Sequence, residues 1–308
     1  MSVSRKEQTI ANACSVSGRG YWTGKLVCVS IEPAPAGTGV RLIRSDLTDR
    51  PSCTASAANR CETPLRTIIR DGDARFEMVE HLMAALHALQ IDNCFVSIDG
   101  EEFPGLDGSC LAFFQALQNA GITKQSTQRK RLVIQQTVRI ELADRWIQVE
   151  PLDRAMQNAG TCFEYRLSFD HDCPIHEQTF SFHCTPETFG KEVAGARTFV
   201  TQSQAEMLRA QGVAGHVTNQ DLLVFGDNGP IDNELRFADE CSRHKTLDLI
   251  GDIALAGCDI VGSIVSCRGG HTLNGRMAER LAAIADDQIQ ATQLNDDADS
   301  SLPDQHAA

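Results

Sequence analysis

One run of residues constrains this chain more than any other: RFADECSRHKTLDLIGDIALAG, Arg236 to Gly257. Read as a helix, it stacks Glu240, His244, Asp248 and Asp252 at successive i, i+4 steps, with Leu247, Ile250 and Leu255 on the opposite stripe. Three carboxylates and a histidine on one face suit a solvated helix, and the pattern alone favours that reading. Burial of the same face would demand cations, because an unpaired charge is costly away from water. A divalent metal is one such cation, since a histidine and an aspartate four residues apart can reach the same ion.

The rest of the chain sets the frame for that choice. Its 308 residues suffice for two domains of about 150 residues each. A hydrophobic fraction of 42% and a charged fraction of 22% are those of a globular protein with a sizeable core. The net charge is -13, and six of the aspartates follow residue 285. Such an acidic balance argues against nucleic-acid binding, while a local basic pocket could still hold a small anion. The opening MSVSRKEQTIANACSV lacks the apolar core of a signal peptide, and no stretch approaches the length of a membrane span. Twelve cysteines scattered without a CxxC pair read as reduced thiols in a cytoplasmic protein.

Alternating, β-branched runs predict strands from Leu26 and Gly39, followed by a helix over Val79–Leu89, a strand at NCFVSIDG and a helix over Leu111–Ala120 ending at Gly121. The polar, aperiodic TKQSTQRKR marks a boundary near residue 125. Beyond it come strands from RLVIQQTVRIEL to QTFSFHC, helices over Ser203–Ala210 and Asp239–Ala256, the strand DIVGSIVSC and a helix from Asn274 that fades near Ala285. Each half thus has strands, then helix, strand and helix, which predicts an α+β protein of duplicated halves. The expected division is residues 1–125, residues 126–285 and an acidic tail, 286–308, without fixed structure.

Two further histidines complete a chemical pattern. Glu80 and His81 begin an otherwise apolar helix, where a polar pair is not needed for packing. Adjacent helical residues diverge too far to chelate one ion together, so one can bind a metal while the other addresses its water. A Glu favoured by the helix dipole is the plainer explanation. His271, in RGGHTLNG, follows two glycines that allow close backbone approach; a surface turn is its ordinary alternative. Taken jointly, two imidazoles and a carboxylate leave one zinc position open. Glu80 is then placed to take a water proton, His271 to protonate a leaving amine or steady an oxyanion, and Asp252 to orient His271.

The runs VEHLMAALHALQIDN, FPGLDGS, ARTF, NELRFADECSRHKTLDLIGD and GGHTLN occur in an order that resembles the UDP-3-O-acyl-N-acetylglucosamine deacetylases of Gram-negative lipid A biosynthesis, over about Ala11 to Leu281. The resemblance implies two similar two-layer α/β-sandwich domains with the active site between them. It implies zinc, with iron as an alternative, on His81, His244 and Asp248. It assigns Glu80 as base, His271 with Asp252 as the assisting pair, Lys245 as a catalytic lysine and Thr198 as the residue polarising the substrate carbonyl. Phe199 would lie at the substrate, a UDP-linked acylated amino sugar, and a monomer without a transmembrane segment is expected. A paralogue acting on another acylated amino sugar and a non-catalytic zinc-binding relative are the alternatives.

Three segments depart from the family pattern. Gly20-Tyr21-Trp22-Thr23-Gly24 replaces the usual Gly-Leu-His-Thr-Gly, Val200 and Thr201 replace a glycine and an aromatic residue, and His216 and Val217 replace a glycine pair in GVAGHVTNQDLL. Thr201 and Val217 are therefore expected at the substrate. A shortened or altered acyl pocket follows, because added methylenes in a narrow channel are poorly accommodated.

Overall fold

The computed structural model describes residues 4–153, 160–169 and 173–300, with side chains described to residue 288. Two sheets of the same design dominate it. The first has the spatial order Cys14–Arg19, Leu26–Pro33, Cys94–Ile98, Val40–Arg44, Ser52–Thr54, and the second Val138–Leu142, Arg145–Glu150, Asp259–Cys267, Thr161–Leu167, Gln178–His183. The central strand of each is the last in sequence, antiparallel to the hairpin on one side and parallel to the strand on the other. A short strand, Arg131–Val133, adds to the second sheet by pairing parallel to the start of its central strand. The duplication read from element order is thus a duplication of topology.

Among the described residues six α-helices accompany the sheets: α1 (Glu80–Ala88), α2 (Leu111–Ala120), α3 (Pro186–Glu192), α4 (Gln202–Ala210), α5 (Glu240–Ala254) and α6 (His271–Ser300). Within their halves α1 and α5 hold the same place, just before the central strand. Both are buried on nearly every side. A helix enclosed all round needs no amphipathic stripe, so the polar stripe of α5 is not a solvent face. The two helices pack on each other, α2 lies against Cys14–Arg19, and α5 and α6 serve the second sheet.

Each half also carries an insertion before its central helix. In the first, Arg60–Cys61, Ile68–Asp71 and Ala74–Glu77 form a small antiparallel sheet. In the second, Phe199–Thr201 and Leu223–Gly226 pair in parallel across α4.

Two expectations change. The segment taken as a connector is a strand, Ile122–Gln128, paired antiparallel with Lys6–Ile10. Almost all of it is exposed, so no apolar alternation could reveal it. The last helix begins at His271 and continues to Ser300 instead of fading near Ala285. Its polar continuation has no Gly or Pro before Pro303, and Ala, Gln and Leu are good helix formers. Residues 301–308 of the expected tail lie outside the described residues.

Where α1 meets α5 the backbones nearly touch: a Cβ added at Gly251 would stand 2.0 Å from the carbonyl oxygen of Glu80. Gly251→Ala should therefore lower stability by about 1–3 kcal/mol, read as a lower denaturant midpoint at unchanged slope.

Candidate active site

The crossing of α1 and α5 brings the first turn of one helix to the middle of the other. His81, His244 and Asp248 are buried there, with one ligand atom from each lying within 4.8 Å of the others. Asp248 Oδ1 is 3.7 Å from His81 Nε2 and 3.4 Å from His244 Nε2. The carbonyl of Ala196, 3.2 Å from His244 Nδ1, can only accept, so it holds the ring proton on that side and leaves Nε2 as a donor of electrons. Burial pushes His244 down to about 3, so the ring is neutral. Burial alone would raise Asp248, but His244 and Lys245 hold its carboxyl well below the usual range. Lys245 Nζ donates to Asp248 Oδ2 at 2.5 Å.

A metal fits this group. Oδ1 of Asp248 faces Nε2 of both imidazoles. Two imidazoles and one carboxylate form a donor set suited to zinc and neighbouring divalent ions.

Acid–base groups stand beside it, both in contact with Thr67. Glu80 is buried, its Oε2 accepts from the Thr67 backbone N–H at 3.0 Å, and burial raises its carboxyl above the ordinary range. The His271 ring lies at the start of α6, with Nδ1 2.9 Å from Asp252 Oδ2 and Nε2 4.0 Å from Asp248 Oδ2. Burial opposes its charged form, but Asp252, Glu80 and Asp248 outweigh that and lift it to about 9. Asp252 is fully buried and also accepts from the Thr67 hydroxyl and from Asn274 Nδ2.

The stripe of α5 therefore serves three purposes. Asp248 belongs to the metal-ligand group and Asp252 backs His271. Glu240 is an ion pair: fully buried, it accepts from Arg197 Nε at 2.8 Å and from the backbone N–H of Arg236 at 2.6 Å.

Glu80, His81, His244, Lys245, Asp248 and His271 face one cavity of about 450 Å³. Phe199, Val200, Leu208, Val217 and Leu222 give it an apolar wall, and Arg145 and Arg268 also line it. Thr198 lines it too, its backbone N–H donating to Gly108 O at 2.8 Å. The Phe199 ring meets His244 edge-on at 6.2 Å. Thr201 is placed differently from expectation. It is the N-cap of α4, in a capping box with Gln204, and is absent from the cavity lining. Its hydroxyl is committed to the first turn of that helix.

Several residues escaped sequence reasoning. Thr67 touches both Glu80 and Asp252 yet sits in no recognisable motif. Asn274 was visible in principle, one helical turn after His271. The cation for Glu240 was also within reach, since ARTF contains Arg197. Arg145 and Arg268, far apart in sequence, carried no signal.

Two imidazoles and a carboxylate that could hold a metal stand beside a buried carboxyl and a carboxylate-backed histidine. The family model for UDP-3-O-acyl N-acetylglycosamine deacetylase matches residues 7–283, and the chain belongs to that family. It is 40% identical over 278 residues to the UDP-3-O-acyl-N-acetylglucosamine deacetylases of Brucella ovis, Brucella canis and Brucella suis, covering 89% of this chain and 94% of each relative. Among the described residues no helix is long and apolar enough to cross a membrane.

The Glu240–Arg197 pair yields a stability test. Arg197→Met strands a buried carboxylate and should cost about 3–5 kcal/mol. Adding Glu240→Gln should recover part of that loss in a double-mutant cycle read by denaturant unfolding.

Proposed function

We propose that this chain is a cytoplasmic, zinc-dependent amidohydrolase that removes the N-acetyl group of UDP-3-O-acyl-N-acetylglucosamine. The observation that carries this reading is that Glu80 and His271 share one cavity with the His81–His244–Asp248 group. Family membership gives the substrate, and the apolar wall and two arginines of the cavity suit an acyl chain and a diphosphate respectively. The two sheets of equal topology support a division into two halves, with the expected boundary at residue 125 falling inside the strand Ile122–Gln128.

His81, His244 and Asp248 would hold the zinc, which when bound would supply Lewis-acid polarisation and activation of water. The protein groups perform the proton transfers. Glu80 takes the proton of the attacking water; its raised pKa makes it a stronger base than an exposed carboxylate. A C–O bond forms at the acetyl carbon and the C–N bond breaks. His271 gives its proton, from Nε2, to the departing amine. Its Nδ1 stays on Asp252, which with Thr67 and Asn274 fixes the ring. Lys245 balances Asp248 and adds positive potential where the oxyanion develops. Thr198 stands beside the same carbonyl, and Phe199 closes the wall against His244. The products are acetate and the free amine.

Asp248→Ala should lose bound zinc by metal analysis. Glu80→Gln should keep its zinc and lose about 10²–10⁴-fold in turnover; near-normal turnover would remove Glu80 from the role of base.

His271 must be protonated to donate, so activity should persist through neutrality and decline as pH rises through about 9. Asp252→Asn removes the neighbouring charge that raises this histidine, and should move the alkaline limb of the kcat/KM profile to lower pH.

A further inference from the structure

Two loops from opposite halves meet at the apolar wall of the cavity, and both lie in segments that depart from the family pattern. Gly20 to Gly24, in the turn between Cys14–Arg19 and Leu26–Pro33, presents Tyr21 and Trp22 to the cavity. Residues 212–222, between α4 and Leu223–Gly226, present Ala214, Val217 and Leu222.

The loops are fastened twice. His216 Nε2 lies 2.8 Å from the Gly20 carbonyl, to which it donates, and the Tyr21 hydroxyl donates to the Asp221 carbonyl at 2.5 Å. Gly24 makes room for the histidine: its φ is 67°, and a Cβ there would stand 2.8 Å from His216 Nδ1. The first loop is itself fixed, because Glu102 accepts from the backbone N–H groups of Trp22 and Thr23 and from the Thr23 hydroxyl at 2.7–2.9 Å. Val217 is thus held one residue away from a fastening whose far end cannot move.

Behind that wall lies a second, smaller void of about 40 Å³. It shares Val200, Leu208, Ala214, Val217 and Leu222 with the main cavity. A single layer of apolar side chains therefore separates the two spaces, and Val217 is part of it.

We propose that His216 and Tyr21 form a clasp that sets the acyl length this enzyme accepts, by holding Val217 as the end wall between the cavity and the void behind it. Neither clasp residue touches the reacting atoms, so both act as positioning residues for specificity. The inference rests on the deacetylase reading. It adds that one unusual residue from each loop, Tyr21 and His216, fastens that loop to the main chain of the other.

The test is to assay wild type, His216→Ala, His216→Gln, Tyr21→Phe and Val217→Ala on UDP-3-O-acyl-N-acetylglucosamines bearing a straight-chain series of increasing length. Each methylene that gains an apolar berth adds about fourfold in binding. Val217→Ala should shift the best length upward. His216→Ala and Tyr21→Phe should weaken the preference between the best and the next longer chains about tenfold, chiefly in KM, with kcat changing less. His216→Gln retains a side-chain N–H and should keep most of the preference. Equal slowing on every chain with an unchanged best length would overturn the clasp. If His216→Ala does not fold, Tyr21→Phe, which loses a single oxygen, decides the matter. Wild type that turns over no member of the series would overturn the deacetylase reading and this inference with it.

Discussion

At residue 251 α5 carries no side chain, and the main chain of Glu80 occupies the space a methyl group would take. This contact is what the site depends on. Chemistry comes from the first turn of α1 and the middle of α5, and neither helix holds a complete set of groups. Only a crossing this close can put His81 within reach of His244 and Asp248. Elements of the two sheets then keep the helices in place, so packing far from the chemistry fixes the distances within it.

Burying so many charges requires each to have a specific answer. Glu240 has Arg197, Asp248 has Lys245 and two imidazoles, and Asp252 has His271, Thr67 and Asn274. Because each answer is different, one row of similar side chains on one helix divides into separate environments. Asp248 is held ionised, Glu80 nearby is pushed upward, and His271 is kept protonated. Two carboxyl groups and an imidazole acquire distinct roles in this way.

Much of this was legible in the sequence, and the illegible parts have physical reasons. α2 matches its expected span, because Gly121 and helical spacing both mark it. The i, i+4 stripe located His244 and Asp248, but it could not say that the face is buried. That fact depends on α1, whose sequence lies far away. Periodicity fails where a strand has no buried face, as in Ile122–Gln128, and a polar composition misled over the later turns of α6, which remain helical. Thr201 shows a different limit. A residue next to a recognised motif looked like a substrate contact, whereas the start of α4 needed a cap. Family resemblance supplied His81 as third ligand with its role; spacing alone offered Glu80 and His81 as a pair.

The division of metal ligands between two helices has a thermodynamic corollary. An ion that binds only when α1 and α5 are docked adds its binding free energy to the docking itself, by RT ln(1 + [M]/Kd). A metal bound there would act as a reversible cross-link between elements separated by about half the chain, and chelation would loosen the union of the halves before it unfolded either sheet. The supply of that metal would then govern mechanical integrity as well as turnover.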